Sequence, residues 1–147
     1  MRKTLLSVLT LTAVTVAVAA WLSDNGGIGW HEAVAASHLA TQTSSARSVT
    51  VKVTPQNVAG DAKTWDFAIV LDTHSAALND DLVKSSLLRD SAGGRFTPVA
   101  WDGAPPGGHH REGVLRFKPV SPQPQSIELQ ITRAGEDAPR SFRWQLK

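Results

Sequence analysis

The chain has 147 residues, enough for one domain of ordinary size, and no cysteine, which excludes disulfides and a lipid anchor attached through cysteine. Its 15 Lys and Arg outnumber its 13 Asp and Glu, but two of the cations, Arg2 and Lys3, belong to an amino-terminal leader. The remainder balances near zero, which argues against a broadly electrostatic partnership with nucleic acid or a membrane surface.

The leader comes first in chain order. A short basic start is followed by an uncharged run from Leu5 to Leu22, the pattern of a secretory signal. Ala17-Val18-Ala19 or Val18-Ala19-Ala20 suits a signal peptidase, so the expectation is a signal peptide over residues 1–20. The competing reading is an uncleaved anchor, because residues 5–22 nearly span a bilayer. Either way the chain is expected to be exported, periplasmic or secreted, or held at the inner membrane by that segment. Residues 21–48 read as a flexible tether, with SHLATQTSSARS (37–48) as its most linker-like part. HEAVAASHLA (31–40) is compatible with a short helix inside it.

From Val49 the pattern becomes alternation of period two, which marks strands with one buried and one wet face. VTVKV sends Val49, Val51 and Val53 one way. TWDFAIVLDTH does the same with Trp65, Phe67, Ile69 and Leu71, leaving Asp66, Ala68, Val70 and Asp72 opposite. SIELQIT and RSFRWQLK repeat the pattern through Ile127, Leu129 and Ile131, and through Phe142, Trp144 and Leu146. Three less regular strands are expected over LVKSSLLRD (82–90), RFTPVAW (95–101) and GVLRFKP (113–119). Ser91 to Gly94 suits a hairpin turn, and Pro98 implies an edge position or a bulge. About seven antiparallel strands punctuated by turns imply an all-β, immunoglobulin-like β-sandwich over residues 49–147. Trp65, Trp101 and Trp144 are its expected large core residues.

Two segments could carry chemistry. In DTHS (72–75), continued alternation would point Asp72 and His74 to the same outer face. In PPGGHHREG (105–113), one of His109 and His110 would face that side. His74 with His110 or His109, plus Asp72 and, as a further candidate, Asp102 from WDG (101–103), would make an imidazole–carboxylate set suited to Cu(II) or Zn(II). Arg111 would support it from behind by pairing with Asp72 or Asp102. The competing reading makes the same residues a polar latch between loops, with Arg111 as its ion-pair partner. His31 and His38 lie in the tether and play no part. Ser75 follows His74 without a nucleophile elbow, Asp80 and Asp81 read as turn residues, and no glycine-rich phosphate loop occurs. No catalytic assignment follows.

The segments DTHS, LLRDSAGGRFTPVAWDG, GGHHREGVLRF and SFRWQL together resemble a recurrent, poorly characterised family of small exported bacterial and archaeal β-sandwich domains, across roughly residues 49–146. The resemblance implies an exported sandwich and carries no established activity. In architecture alone the chain is similar to periplasmic copper-resistance sandwiches, without their methionine-rich segments. The expected function is therefore a non-enzymatic exported binding protein with a divalent-metal site. The alternative is an envelope protein-interaction or scaffold module whose His, Asp and Arg residues only lock loops.

Overall fold

The computed structural model describes residues 39–147. The leader (1–20), the tether up to residue 38, nearly all of the helix expected over 31–40, and His31 and His38 lie outside the described residues.

The domain is all-β. Nine strands form two antiparallel sheets: β1 (Gln42–Ala46), β2 (Val49–Asn57), β3 (Trp65–Thr73), β4 (Ser86–Asp90), β5 (Arg95–Phe96), β6 (Ala100–Gly103), β7 (His110–Phe117), β8 (Ser126–Ile131) and β9 (Arg140–Gln145). The first sheet runs β1-β2-β3-β7-β6 and the second β5-β4-β8-β9. From β2 onward this is the A-B-E-D and C′-C-F-G order of an immunoglobulin sandwich. The inward parity read from the sequence holds. Val51, Val53, Trp65, Phe67, Ile69, Leu71, Leu115, Phe117, Leu129, Ile131 and Phe142 are buried between the sheets. Phe67 meets Phe117 edge to face at 5.6 Å and lies 5.9 Å from Trp144.

Trp65 and Trp144 are buried as expected, while Trp101 is only half-buried. Each indole N–H donates to a loop carbonyl: Trp65 to Ala59, Trp101 to Ala104 and Trp144 to Ala40. The polar tip of each ring thus finds a partner where its apolar body enters the core.

Three expectations need correction. Residues 42–46, assigned to the tether, are strand β1, which extends the first sheet. Their side chains carry little apolar signal, so periodicity could not reveal them. The hairpin to β2 turns through Arg47 and Ser48, both at positive φ (46° and 63°) as a two-residue type I′ turn requires, with neither of the usual Asn-Gly residues. Second, residues 82–85 are not strand. Asp81 accepts hydrogen bonds from the Val83 and Lys84 amides and caps a single helical turn, α1 (Leu82–Ser85), before β4 begins. Third, the strand expected over 95–101 is two. β5 belongs to one sheet and β6 to the other, with buried Pro98 between them, where the missing N–H interrupts the ladder.

Gly103 and Gly113 face each other across β6 and β7. A Cβ on Gly113 would lie 2.5 Å from the Gly103 Cα and 2.8 Å from the Trp101 ring. Backbone on one side and a packed indole on the other leave no cheap relaxation. Gly113→Ala should therefore lower stability by about 1–3 kcal/mol, with the loss read as a reduced denaturant midpoint and as faster amide exchange in β6. An unchanged midpoint would mean that β6 shifts freely.

Candidate functional site

The β3–β7 register sets Asp72 opposite His110 on the outer face of the first sheet. The His110 Nδ1 lies 2.6 Å from Asp72 Oδ1, and its Nε2 lies 3.6 Å from Glu112 Oε2. Glu112 follows two residues later on the same strand face, so the imidazole has a carboxylate at each nitrogen. The hydrogen bond to Asp72 is the main cause that holds the His110 pKa above its ordinary value of 6.5. Desolvation acts the other way, and the charges of Asp72 and Glu112 reinforce the rise. All three side chains are substantially exposed, so this is a surface ion pair rather than a buried lock.

Because the folded-state pKa is raised, the pair's contribution is complete below pH 6.5 and is lost as pH rises through the folded value. The His110 ring should titrate above an exposed histidine by NMR, and Asp72→Asn should return its midpoint toward the ordinary value. The stability difference between wild type and Asp72→Asn should be larger at pH 6 than at pH 9. A midpoint that ignores the substitution would mean the two groups are not paired in solution.

Other sequence candidates are placed apart from this pair. Strand β3 ends at Thr73, so His74 does not share the outer face with Asp72 by alternation. The buried Thr73 hydroxyl donates to Ser48 O and accepts from the Ser75 and Ala76 amides, which turns the chain away. Exposed His74 instead borders a groove with Ser75 and residues 45–50 of the β1–β2 hairpin. His109 is exposed, and its carbonyl extends the ladder by accepting from the Thr73 amide at 2.9 Å. Asp102 lies opposite Val114, four residues along β7 from His110, or about 13 Å at the usual strand rise. Its carboxylate accepts from Arg116 at 3.1 Å. Among the described residues, no three His, Asp or Glu side chains are grouped so as to share one metal ion.

Arg111 corrects its assignment most clearly. It pairs with neither Asp72 nor Asp102. Its position on β7 has the parity of Leu115 and Phe117, so it points into the sandwich and is 1% exposed. There it donates to the carbonyls of Leu78 (3.0 Å), Asp80 (2.8 Å) and Ala104 (3.3 Å), beneath the half-buried Trp101 ring at 5.6 Å. Burial pulls its pKa down from the usual value, opposed by the charges of Asp80 and Asp81.

From Arg111 a polar chain continues across the end of the sandwich. The Asp80 carboxylate accepts from Arg133 at 2.8 Å, and Arg133 lies 3.9 Å from Glu136. Glu136 pairs with Arg140, whose hydrogen bond is the main cause that holds its pKa below the ordinary carboxylate value. Arg140 then donates to Ser44 O, Val49 O and Ala46 O, each at 2.9 Å. Ser44 and Ala46 belong to β1, an edge of the first sheet, so a buried guanidinium occupies carbonyls that an edge strand would otherwise expose. Arg133 and Arg140 are 7% and 6% exposed. Asp80, expected as a turn residue, is part of this network, and none of Arg133, Glu136 and Arg140 stands among the candidates named from the sequence.

A scan against protein-family models, a search of curated proteins and a search of solved structures each returned no match.

Proposed function

We propose that the chain is an exported, non-enzymatic interaction module of the cell envelope. It meets a protein partner through a sheet surface, with Arg111 as a buried lock between loops and His110 with Asp72 as a surface ion pair. The observation that carries this reading is the engagement of GGHHREG: Arg111 is buried on loop carbonyls, and His110 is occupied by Asp72 and Glu112. A chelating imidazole needs a free nitrogen lone pair, whereas a carboxylate beside each ring nitrogen of His110 favours the protonated form, which has none. The module operates in the periplasm or outside the cell, either released by cleavage near residue 20 or held by residues 5–22.

The test is calorimetric titration of the full chain with Cu(II) and with Zn(II), beside the His74→Ala, His110→Ala double variant. The expected result is no binding isotherm that depends on these two histidines. Tight one-to-one binding lost in the double variant would replace this reading with that of a divalent-metal binding protein.

A further inference from the structure

The outer face of the four-stranded sheet differs in chemistry from that of the first sheet. Strand register aligns Arg95 with Arg89, Arg89 with Glu128, and Glu128 with Arg143, a row crossing all four strands. Two arginines directly opposite on neighbouring strands repel each other and weaken the pairing they sit on. The nearby carboxylates do not relieve them. Glu128 accepts from Arg143 at 2.9 Å, and hydrogen bonds led by that from Ser141 hold its pKa below the ordinary value. Asp90 accepts from the Ala92 and Gly94 amides at 2.9 and 2.7 Å, which fixes the hairpin turn. Among the described residues, no carboxylate lies within ion-pair distance of Arg89 or Arg95, whereas Arg47, Arg116, Arg133, Arg140 and Arg143 each have at least one.

The middle of the row is concave. Arg89, Glu128 and Arg143 line a hollow with Asp90, Ser126 and Gln145. Of its carboxylates, Glu128 holds Arg143 and Asp90 Oδ1 holds two turn amides, while Arg89, much of Arg143, and the side chains of Ser126 and Gln145 remain open as donors. A surface with surplus donors and unpaired guanidinium groups is complementary to carboxylate, which a planar guanidinium binds through two parallel hydrogen bonds.

We propose that an acidic polypeptide segment of a partner protein docks here, with a carboxylate seated over Arg89 and Arg95 and further acidic or amide groups reaching Arg143. The proposal rests on the interaction-module reading and supplies its surface. Glu128 argues for spaced carboxylates rather than a continuous polyphosphate, since a uniform line of phosphates crossing the sheet would meet that half-buried negative charge.

The experiment uses the full chain and a fluorescently labelled polyglutamate peptide, read by anisotropy at low and high salt. Arg89→Gln, Arg95→Gln should weaken binding by about tenfold or more, as expected for loss of charge-assisted contacts. Lys52→Gln, Lys84→Gln, which removes the same charge elsewhere, should leave it within about twofold of wild type. The thermal midpoint of the arginine variant should equal or exceed that of wild type, because a repulsive pair has been removed. Equal weakening in both variants would reduce the effect to net charge and overturn the proposal. So would a falling thermal midpoint in the arginine variant, or preference for a single-stranded oligonucleotide or phosphatidylglycerol vesicles over the peptide. These failures concern the second sheet alone. The broader reading fails separately, by histidine-dependent metal binding on the other side of the molecule.

Discussion

Arg140→Leu will destabilise the domain by about 3–5 kcal/mol, the usual cost of removing one member of a buried ion pair. The side chain is 6% exposed and makes contacts of two kinds. Its Nε and Nη2 hold Glu136, and Nη1 and Nη2 hold the carbonyls of Ser44, Ala46 and Val49. Leucine fills part of the volume but leaves a buried carboxylate with only Arg133 at 3.9 Å, and three carbonyls without this donor. Edge strand β1 should loosen first, so its amides should exchange faster than those of β2. Adding Glu136→Gln to Arg140→Leu should recover part of the loss, because the stranded charge is gone. Loss below about 1 kcal/mol by denaturant unfolding would mean that water replaces the guanidinium freely. The pH dependence has a definite sign. Glu136 has a lowered pKa, so its contribution is present above the ordinary value of 4.5 and is lost as pH falls through the folded value. The gap between wild type and Arg140→Leu should therefore narrow on strong acidification.

Arg111→Met is expected to cost about 3 kcal/mol: Asp80 O loses its donor, and a buried acceptor left alone costs roughly 1–3 kcal/mol, while Leu78 O and Ala104 O lose a charged donor but keep the Gly107 amide and the Trp101 indole N–H. Relief of a desolvated charge offsets part of that sum. Methionine matches the stem of arginine and preserves most of the packing under Trp101, so the loss reports on the fork of donors rather than on a cavity. The carbonyls of Leu78, Asp80 and Ala104 come from two separate loops, and one planar group bonds all three, beside the backbone hydrogen bonds of Leu78 with Gly107 and Gly108. Arg111→Lys keeps the charge but has no rigid fork, and should fall between wild type and methionine. Equal stability of lysine and arginine would show that charge alone, without bidentate geometry, holds the loops. If Arg111→Met matches wild type in denaturant midpoint, the latch contributes nothing measurable.

The three buried arginines have a common origin in strand parity. Arg133 continues Ile127, Leu129 and Ile131; Arg140 precedes Phe142 and Trp144; Arg111 shares the parity of Leu115 and Phe117. Extending each apolar alternation past its end lands on a cation, a pattern visible in the sequence once a charged residue is allowed to be buried at the rim of a core. A rule that equates charge with solvent sends Arg111 outward to Asp72 or Asp102 and passes over Arg133 and Arg140. Strand parity had already placed Asp72 on the outer face. His74 was placed beside it by continuing that alternation one step beyond Thr73, where the Thr73 hydroxyl bends the chain.

Period-two hydrophobicity was enough to determine the class of fold, the inward faces of the main strands and two of the three core tryptophans, because a half-buried strand writes its burial directly into alternate residues. Tertiary structure alone decided the rest. Strand β1 carries no such alternation and exists because β2 and Arg140 take up its backbone groups. The pairing of His110 with Asp72, and of Arg95 with Arg89, depends on cross-strand register. Register is set by how two strands meet, and neither strand carries it by itself.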